Sequence, residues 1–343
     1  MKKLFQTLGL GSLVFVLLLL AACGGTSGTT GATPTTGTGS NLNIVFVPKQ
    51  INNPYFDTAA SGGKEAAMAL SGQFKQVGPS SANAAAQVPF ITSLTQQHAG
   101  AIVISGDDPN AVAPSLKQAM AQGIKVVSYD ADVAPDARNV FVNQANSEQI
   151  GRSEVDLLAQ QINSTGQIAI LSAASTAANQ NAWIGFMKDE LSTKYPNMKL
   201  VKIAYGNDDD TTSFNLTLAL LQQFPNLKGI ISPTTVGIAA AARALESVKK
   251  GGQVALTGLG TPNQLRQYVK DGTIKGFELW NPASLGYLAY YVAALLIEGK
   301  IKGNTGDTFT AGKLGSYTIA TNNVVLLGPP TVFNSANIDQ FNF

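Results

Sequence analysis

Asp130 stands directly after the apolar run Lys125–Tyr129, and Lys49 follows the apolar run Leu42–Val47 by two residues. A sheltered carboxylate can accept hydrogen bonds from two neighbouring hydroxyls, and charged acceptors make the stronger bonds, about 1.5–3 kcal/mol each. Lys49 would add a mobile point-charge donor. The amides Asn179, Gln180 and Asn281 both donate and accept, and Thr235, close after Pro233, supplies a hydroxyl. Phe56 and Trp280, with Tyr55 beside them, offer flat apolar faces for the C–H side of a pyranose or the methyl of a 6-deoxy sugar. These residue types suit recognition of a small neutral polyol. Each also has a structural use: a turn or cap for Asp130, a cap for Asn179, a solvated side chain for Lys49, core packing for Phe56 and Trp280.

Bond-making chemistry finds less support. The chain has one His (His98) and one Cys (Cys23), which removes most zinc sites and nucleophile–base triads. Asp107-Asp108 and Asn207–Asp210 precede helical patterns and read as helix caps and first-turn acids, with a hinge role open to the second group. A glycosidase needs two carboxylates flanking a bond, and no acid in the second half stands out opposite Asp107, Asp108 or Asp130. Gly258-Leu259-Gly260 is too short for a dinucleotide fingerprint. No catalytic residue, metal or cofactor is predicted.

The elements that must position these residues alternate. Strand patterns fall at Leu42–Val47, Phe74–Val77, Ala101–Ile104, Lys125–Tyr129 and Asn139–Val142, with helical patterns over Pro54–Leu70, Asn83–Gln97 and Ala111–Gln122. The alternation restarts near Gln144. Strands at Gln167–Leu171, Leu200–Ala204, Gly229–Ile231, Gln253–Thr257 and Ile274–Leu279 are interleaved with helices beginning at Ser147, Ala178, Thr212, Gly237, Pro262 and Ser284. Unbroken Val/Ile strands separated by helices mark parallel sheets covered on both faces. The predicted fold is α/β, two doubly wound parallel-sheet lobes joined by a hinge. Ligands bind beyond the carboxyl ends of such strands, which is where the polar residues above fall.

The N-terminus has a separate logic. Lys2-Lys3, the apolar run Leu13–Leu20 and the small residues Ala21-Ala22 before Cys23 have the parts of an export signal over residues 1–22. The apolar stretch is well short of the ~20 residues a spanning helix needs. Leu20-Ala21-Ala22-Cys23 resembles the lipobox of bacterial lipoproteins, which implies acylation of Cys23 and attachment to a lipid membrane. Gly24–Ser40 is Gly, Thr, Ser and Ala with one Pro, a flexible tether of about 20–25 Å reach that completes a linker over 23–41. Lys+Arg is 23 against 21 Asp+Glu, so loss of Lys2 and Lys3 leaves 21 against 21. A neutral, charge-poor chain has no general attraction to nucleic acid.

Several strings carry a family resemblance over Leu42–Phe343. They are Thr176–Trp183 (TAANQNAW), Asn207–Asp210 (NDDD), Ile231–Ile238 (ISPTTVGI), Thr257–Gln264 (TGLGTPNQ) and Leu279–Pro282 (LWNP), with the closing Leu327–Pro330 and Asn337–Phe341. The chain resembles ribose-type periplasmic binding proteins, the solute-binding components of bacterial ABC importers, and among them looks most like the rhamnose-binding proteins. The resemblance implies a type I periplasmic binding protein fold with an N-terminal lobe of 42–143 plus 282–310 and a C-terminal lobe of 144–281 plus 311–343. It also implies an extracytoplasmic monomer that hands its sugar to ABC permease subunits and performs no catalysis. The similar autoinducer-2 binding proteins place ligand contacts at the positions of Lys49, Asp130, Asn179, Gln180, Pro233 and Thr235. Here Asn179 and Asn281 replace carboxylates and Thr235 replaces an alanine, which favours a neutral sugar, L-rhamnose first, over autoinducer-2 or another pentose or hexose. A sugar-responsive regulator would carry a DNA-reading helix-turn-helix where the lipobox and tether stand; a signalling role can coexist with transport.

Overall fold

The computed structural model describes residues 42–343. The export signal, Cys23 and the tether lie outside the described residues.

The first half runs β1 (Asn43–Val47), α1 (Pro54–Ala69), β2 (Gln73–Gln76), α2 (Ala84–Gln96), β3 (Ala101–Ile104), α3 (Pro109–Ala121), β4 (Lys125–Tyr129) and β5 (Val140–Asn143). The second continues α4 (Ser147–Gln161), β6 (Gly166–Ser172), α5 (Ala178–Thr193), β7 (Met198–Tyr205), α6 (Asp210–Gln223), β8 (Leu227–Ser232), α7 (Thr235–Ser247), β9 (Ala255–Gly258), α8 (Pro262–Lys270) and β10 (Gly276–Leu279). A closing section holds α9 (Pro282–Ile297), β11 (Thr308–Thr310), β12 (Ser316–Thr318), β13 (Val324–Leu326) and β14 (Thr331–Asn334).

The strands form two main sheets. The first is parallel, in the order β13-β5-β4-β3-β1-β2. The second is parallel in the order β7-β6-β8-β9, and the bridge Leu259–Glu278 attaches β10, which pairs antiparallel with β14. In each sheet the winding direction reverses beside its first strand, between β1 and β3 and between β6 and β8. Those reversals open a crevice at the strand ends, and loops after these strands are the natural ligand positions.

β1 shows why the strands read as continuous apolar runs. Ile44 and Phe46 enter one core layer while Val45 and Val47 enter the other, and all four are buried. α9 packs across the first sheet against α1. Gly62 and Gly286 make this approach possible, since a Cβ at either would fall 1.8 Å from the Ala283 carbonyl oxygen or 1.9 Å from that of Ala59.

The chain passes between the sheets after β5, after β10 and after β13. The last passage follows β13, beyond the expected boundary at 310/311. Val324–Leu326 pairs in register with Phe141–Asn143 and extends the first sheet, and only β14 onward joins the second. The physical reason is an open edge: β5 has unpaired backbone groups on its outer side that a parallel strand satisfies. Among the described residues no helix is long and apolar enough to cross a membrane.

Candidate ligand-binding site

Asn53 caps α1, its Oδ1 accepting the Tyr55 amide at 3.0 Å. With Pro54 at the first helical position, this start directs Tyr55 and Phe56 inward, where both are buried. Tyr55 is the centre of a relay. Its hydroxyl donates to Asp130 Oδ1 at 3.0 Å and accepts from Trp280 Nε1 at 2.8 Å. Ser105, after β3, donates to Asp130 Oδ2 at 2.7 Å, and the Lys49 ammonium lies 3.9 Å from the same oxygen. Asp130 itself holds a left-handed backbone, φ 60°, a conformation Asp tolerates better than most residues. Burial, then the Asp130 charge, pushes the Tyr55 hydroxyl well above its ordinary value, so Tyr55 stays a neutral donor.

Gln87 holds the loops on this side. Its Nε2 donates to the carbonyls of Pro48 and Ser105 at 3.1 and 2.8 Å, and its Oε1 accepts the Asp107 amide at 3.0 Å. It is fully buried and joins the two strand ends at the winding reversal. Across the crevice, Gln180 does the equivalent work: Oε1 accepts from the Ser172 hydroxyl and the Ala173 amide, both at 2.8 Å. Asn179 Oδ1 takes the Lys49 ammonium at 3.4 Å. Two further bonds run between the halves, Gln50 Nε2 to the Asp208 carbonyl at 3.2 Å and the Thr176 hydroxyl to the Asp107 carbonyl at 3.2 Å.

These residues line a small cavity of about 40 Å³ between the strand ends of the two halves. Lys49, Phe56, Asp130, Asn179, Gln180, Pro233, Thr235 and Trp280 all line it. Asn281 is not among them. It caps α9, its Oδ1 accepting the amides of Ala283 and Ser284 at 2.9 and 3.2 Å, and a capping side chain folds back on its own helix.

The lining also holds Asn53, Tyr55, Trp183, Asp208, Thr234, Leu259 and Leu279. Trp183 was foreseeable, since it lies four residues after Asn179 on α5 and so shares its face. Asp208 is the larger correction. The second half does set an acid opposite Asp130, on the turn between β7 and α6. The capping expectation holds for Asp209, which accepts the Thr212 amide at 2.7 Å, and for Asp108, which caps α3. It fails for Asp107. That side chain is buried with Oδ2 unpartnered, and burial, only partly opposed by Lys49, pushes its carboxyl up to about 7. Among the described residues no group of three or more His, Cys, Asp or Glu is placed to hold a metal ion.

The cavity thus offers one ammonium, the carboxylates of Asp130 and Asp208, amides and hydroxyls, against a wall of Tyr55, Phe56, Trp183 and Trp280. Neighbouring rings meet at 5.1–6.2 Å between centroids, two pairs edge-on. Such a wall accepts C–H surface while the polar groups orient hydroxyls.

Residues 44–301 match the family described as periplasmic binding protein domain. A sugar ABC transporter protein from Actinomyces odontolyticus is 48% identical, with 90% of this chain and 99% of that one covered and a TM-score of 0.71. An ABC transporter solute-binding protein from Clostridium phytofermentas, solved with bound L-rhamnose, is 37% identical, covering 87% and 97%, with a TM-score of 0.83. LsrB from Clostridium saccharobutylicum, solved in complex with AI-2, is 25% identical, covering 88% and 99%, with a TM-score of 0.84.

Proposed function

The chain belongs to the periplasmic binding protein family, and on that premise we propose that it is the extracytoplasmic solute-binding component of an ABC sugar importer. Its ligand in this reading is a neutral monosaccharide, L-rhamnose first, held between two closing lobes and delivered to the permease without chemical change. The observation that carries the reading is the composition of the cavity. Asp130 and Lys49 from the first half face Asn179, Gln180 and Thr235 from the second, around an aromatic wall. A ligand that touches both halves stabilises their closed arrangement, and that difference in affinity between states is all a transport receptor needs. The protein from Clostridium phytofermentas with L-rhamnose bound supports the choice of sugar.

Acylation of Cys23 would tether this monomer to the membrane, with Gly24–Ser40 as the leash. The likeness to the AI-2 complex of LsrB supports a second ligand reading, autoinducer-2, on the same cavity. A thermal-shift panel on the purified full-length protein separates them, using L-rhamnose, L-fucose, D-ribose, D-xylose, D-galactose and autoinducer-2. A ligand at 1,000 times its dissociation constant adds about 4 kcal/mol to the folded state and raises the melting point by several degrees. A shift with L-rhamnose alone is the expected result. A shift with autoinducer-2 alone would overturn the sugar assignment, and no shift with any of the six would overturn both.

A further inference from the structure

Four consecutive polar residues, Asn207–Asp210, have three different roles once folded. Asp209 caps α6 and Asp210 pairs with Arg243 at 2.7 Å. Asn207 and Asp208 both take left-handed backbones, φ 55° and 50°, and this turn brings Asp208 to the cavity lining. Thr234, itself buried, donates its hydroxyl to Asp208 Oδ1. Thr234 thus engages Oδ1, and Oδ2 is left to accept from a ligand. The Asp208 carbonyl meanwhile accepts Gln50 Nε2 from the other half at 3.2 Å, so its position depends on the closed arrangement.

Asp130 is in the opposite condition. Tyr55 and Ser105 donate to its two oxygens and the Lys49 ammonium lies 3.9 Å away, so part of its acceptor capacity is used before a ligand arrives. Both carboxylates line the same cavity. Burial and the Asp130 charge push the Asp208 carboxyl up, while Lys49 and the Thr234 hydroxyl pull it down.

We propose that Asp208 is the ligand-binding carboxylate of the second half: its Oδ2 accepts a hydroxyl of a neutral sugar, and with Asp130 it makes the site reject sugars that carry a carboxylate. A neutral polyol brings a donor to that oxygen. An anionic sugar brings a like charge into a site lined by Asp130 and Asp208, where Lys49 is the one ammonium of the lining and already lies beside Asp130, and like charges interact strongly where water is excluded. This assignment rests on the sugar reading above.

Isothermal titration of the full-length parent and of Asp208→Asn with L-rhamnose, D-galactose and D-galacturonate tests it. The amide keeps an acceptor for Thr234 and removes the charge, so the melting point without ligand stays at the parent value. Affinity for the neutral sugar that the parent binds falls by about ten- to a hundredfold, while D-galacturonate gains relative to it. Equal affinity in parent and variant overturns the assignment alone. So does a uniform loss for all sugars with a lowered melting point, the signature of a merely structural residue. A parent that binds neither neutral sugar overturns the ligand reading, and the assignment with it.

Discussion

At the residue scale, Asp130 is locked before any ligand arrives. Trp280, Tyr55 and Asp130 form a chain of hydrogen bonds across 225 and 75 positions of sequence, and no local pattern announces such a relay. Tyr55→Phe keeps the ring and its packing but strands the Trp280 N–H and one oxygen of Asp130. A buried unpaired polar group costs about 1–3 kcal/mol, so a denaturant titration should show a loss in that range. Asp130→Asn should weaken sugar binding by about tenfold or more, measured by calorimetry at unchanged fold. Asp107 gives a pH dependence. Its carboxyl is pushed up to about 7 in the folded protein but titrates near 4 when unfolded. The folded state therefore retains a proton the unfolded chain has released. The stability tied to this group is full below about pH 4 and lost as pH rises through about 7. Asp107→Asn should flatten that part of a melting-point profile, and an unchanged slope would remove Asp107 from the account.

At the element scale, caps and clamps decide where the loops sit. Asn281→Ala removes the α9 cap and should cost about 1 kcal/mol of stability while leaving sugar affinity unaltered, the reverse of what a ligand contact would give. A second test lies between α4 and β10. Glu154 and Glu278 are 0% and 1% exposed. Ser153 donates to one oxygen of Glu278 at 2.6 Å, and the other three carboxylate oxygens have no partner. Burial pushes Glu278 up to about 7 and Glu154 well above its ordinary value, with the Glu278 charge adding to the latter. Two acids in such a setting are stable together only while protonated. These buried acids between α4 and β10 therefore favour the folded state most at low pH, and that contribution is lost as pH rises from about 4 through 7. Glu278→Gln should raise the melting point relative to the parent at pH 8.5 and bring little change at pH 5.

At the scale of the whole molecule, much of the architecture was legible because burial on both faces leaves an unmistakable trace. Ile44–Val47, Ala101–Ile104 and Ile168–Leu171 are uninterrupted apolar segments, and their carboxyl ends point to Lys49, Ser105 and the loop that leads to Asn179 and Gln180 at the start of α5. The tail was not legible. β11, β12 and β13 are three residues each, too short for any period to register, and Val324–Leu326 finds its place only because β5 offers an open edge. Asp208 was hidden for a related reason: within Asn207–Asp210 the residue types are nearly alike, and only the turn decides which one faces the cavity. Both tryptophans of the chain, Trp183 and Trp280, stand on the cavity wall with 6.0 Å between their ring centroids. All indole fluorescence of the protein therefore originates at the place where a ligand would sit, with no background from elsewhere. The molecule is its own optical sensor: emission should shift on sugar addition without any label, and Trp183→Phe and Trp280→Phe would divide that signal between helix α5 and the turn after β10.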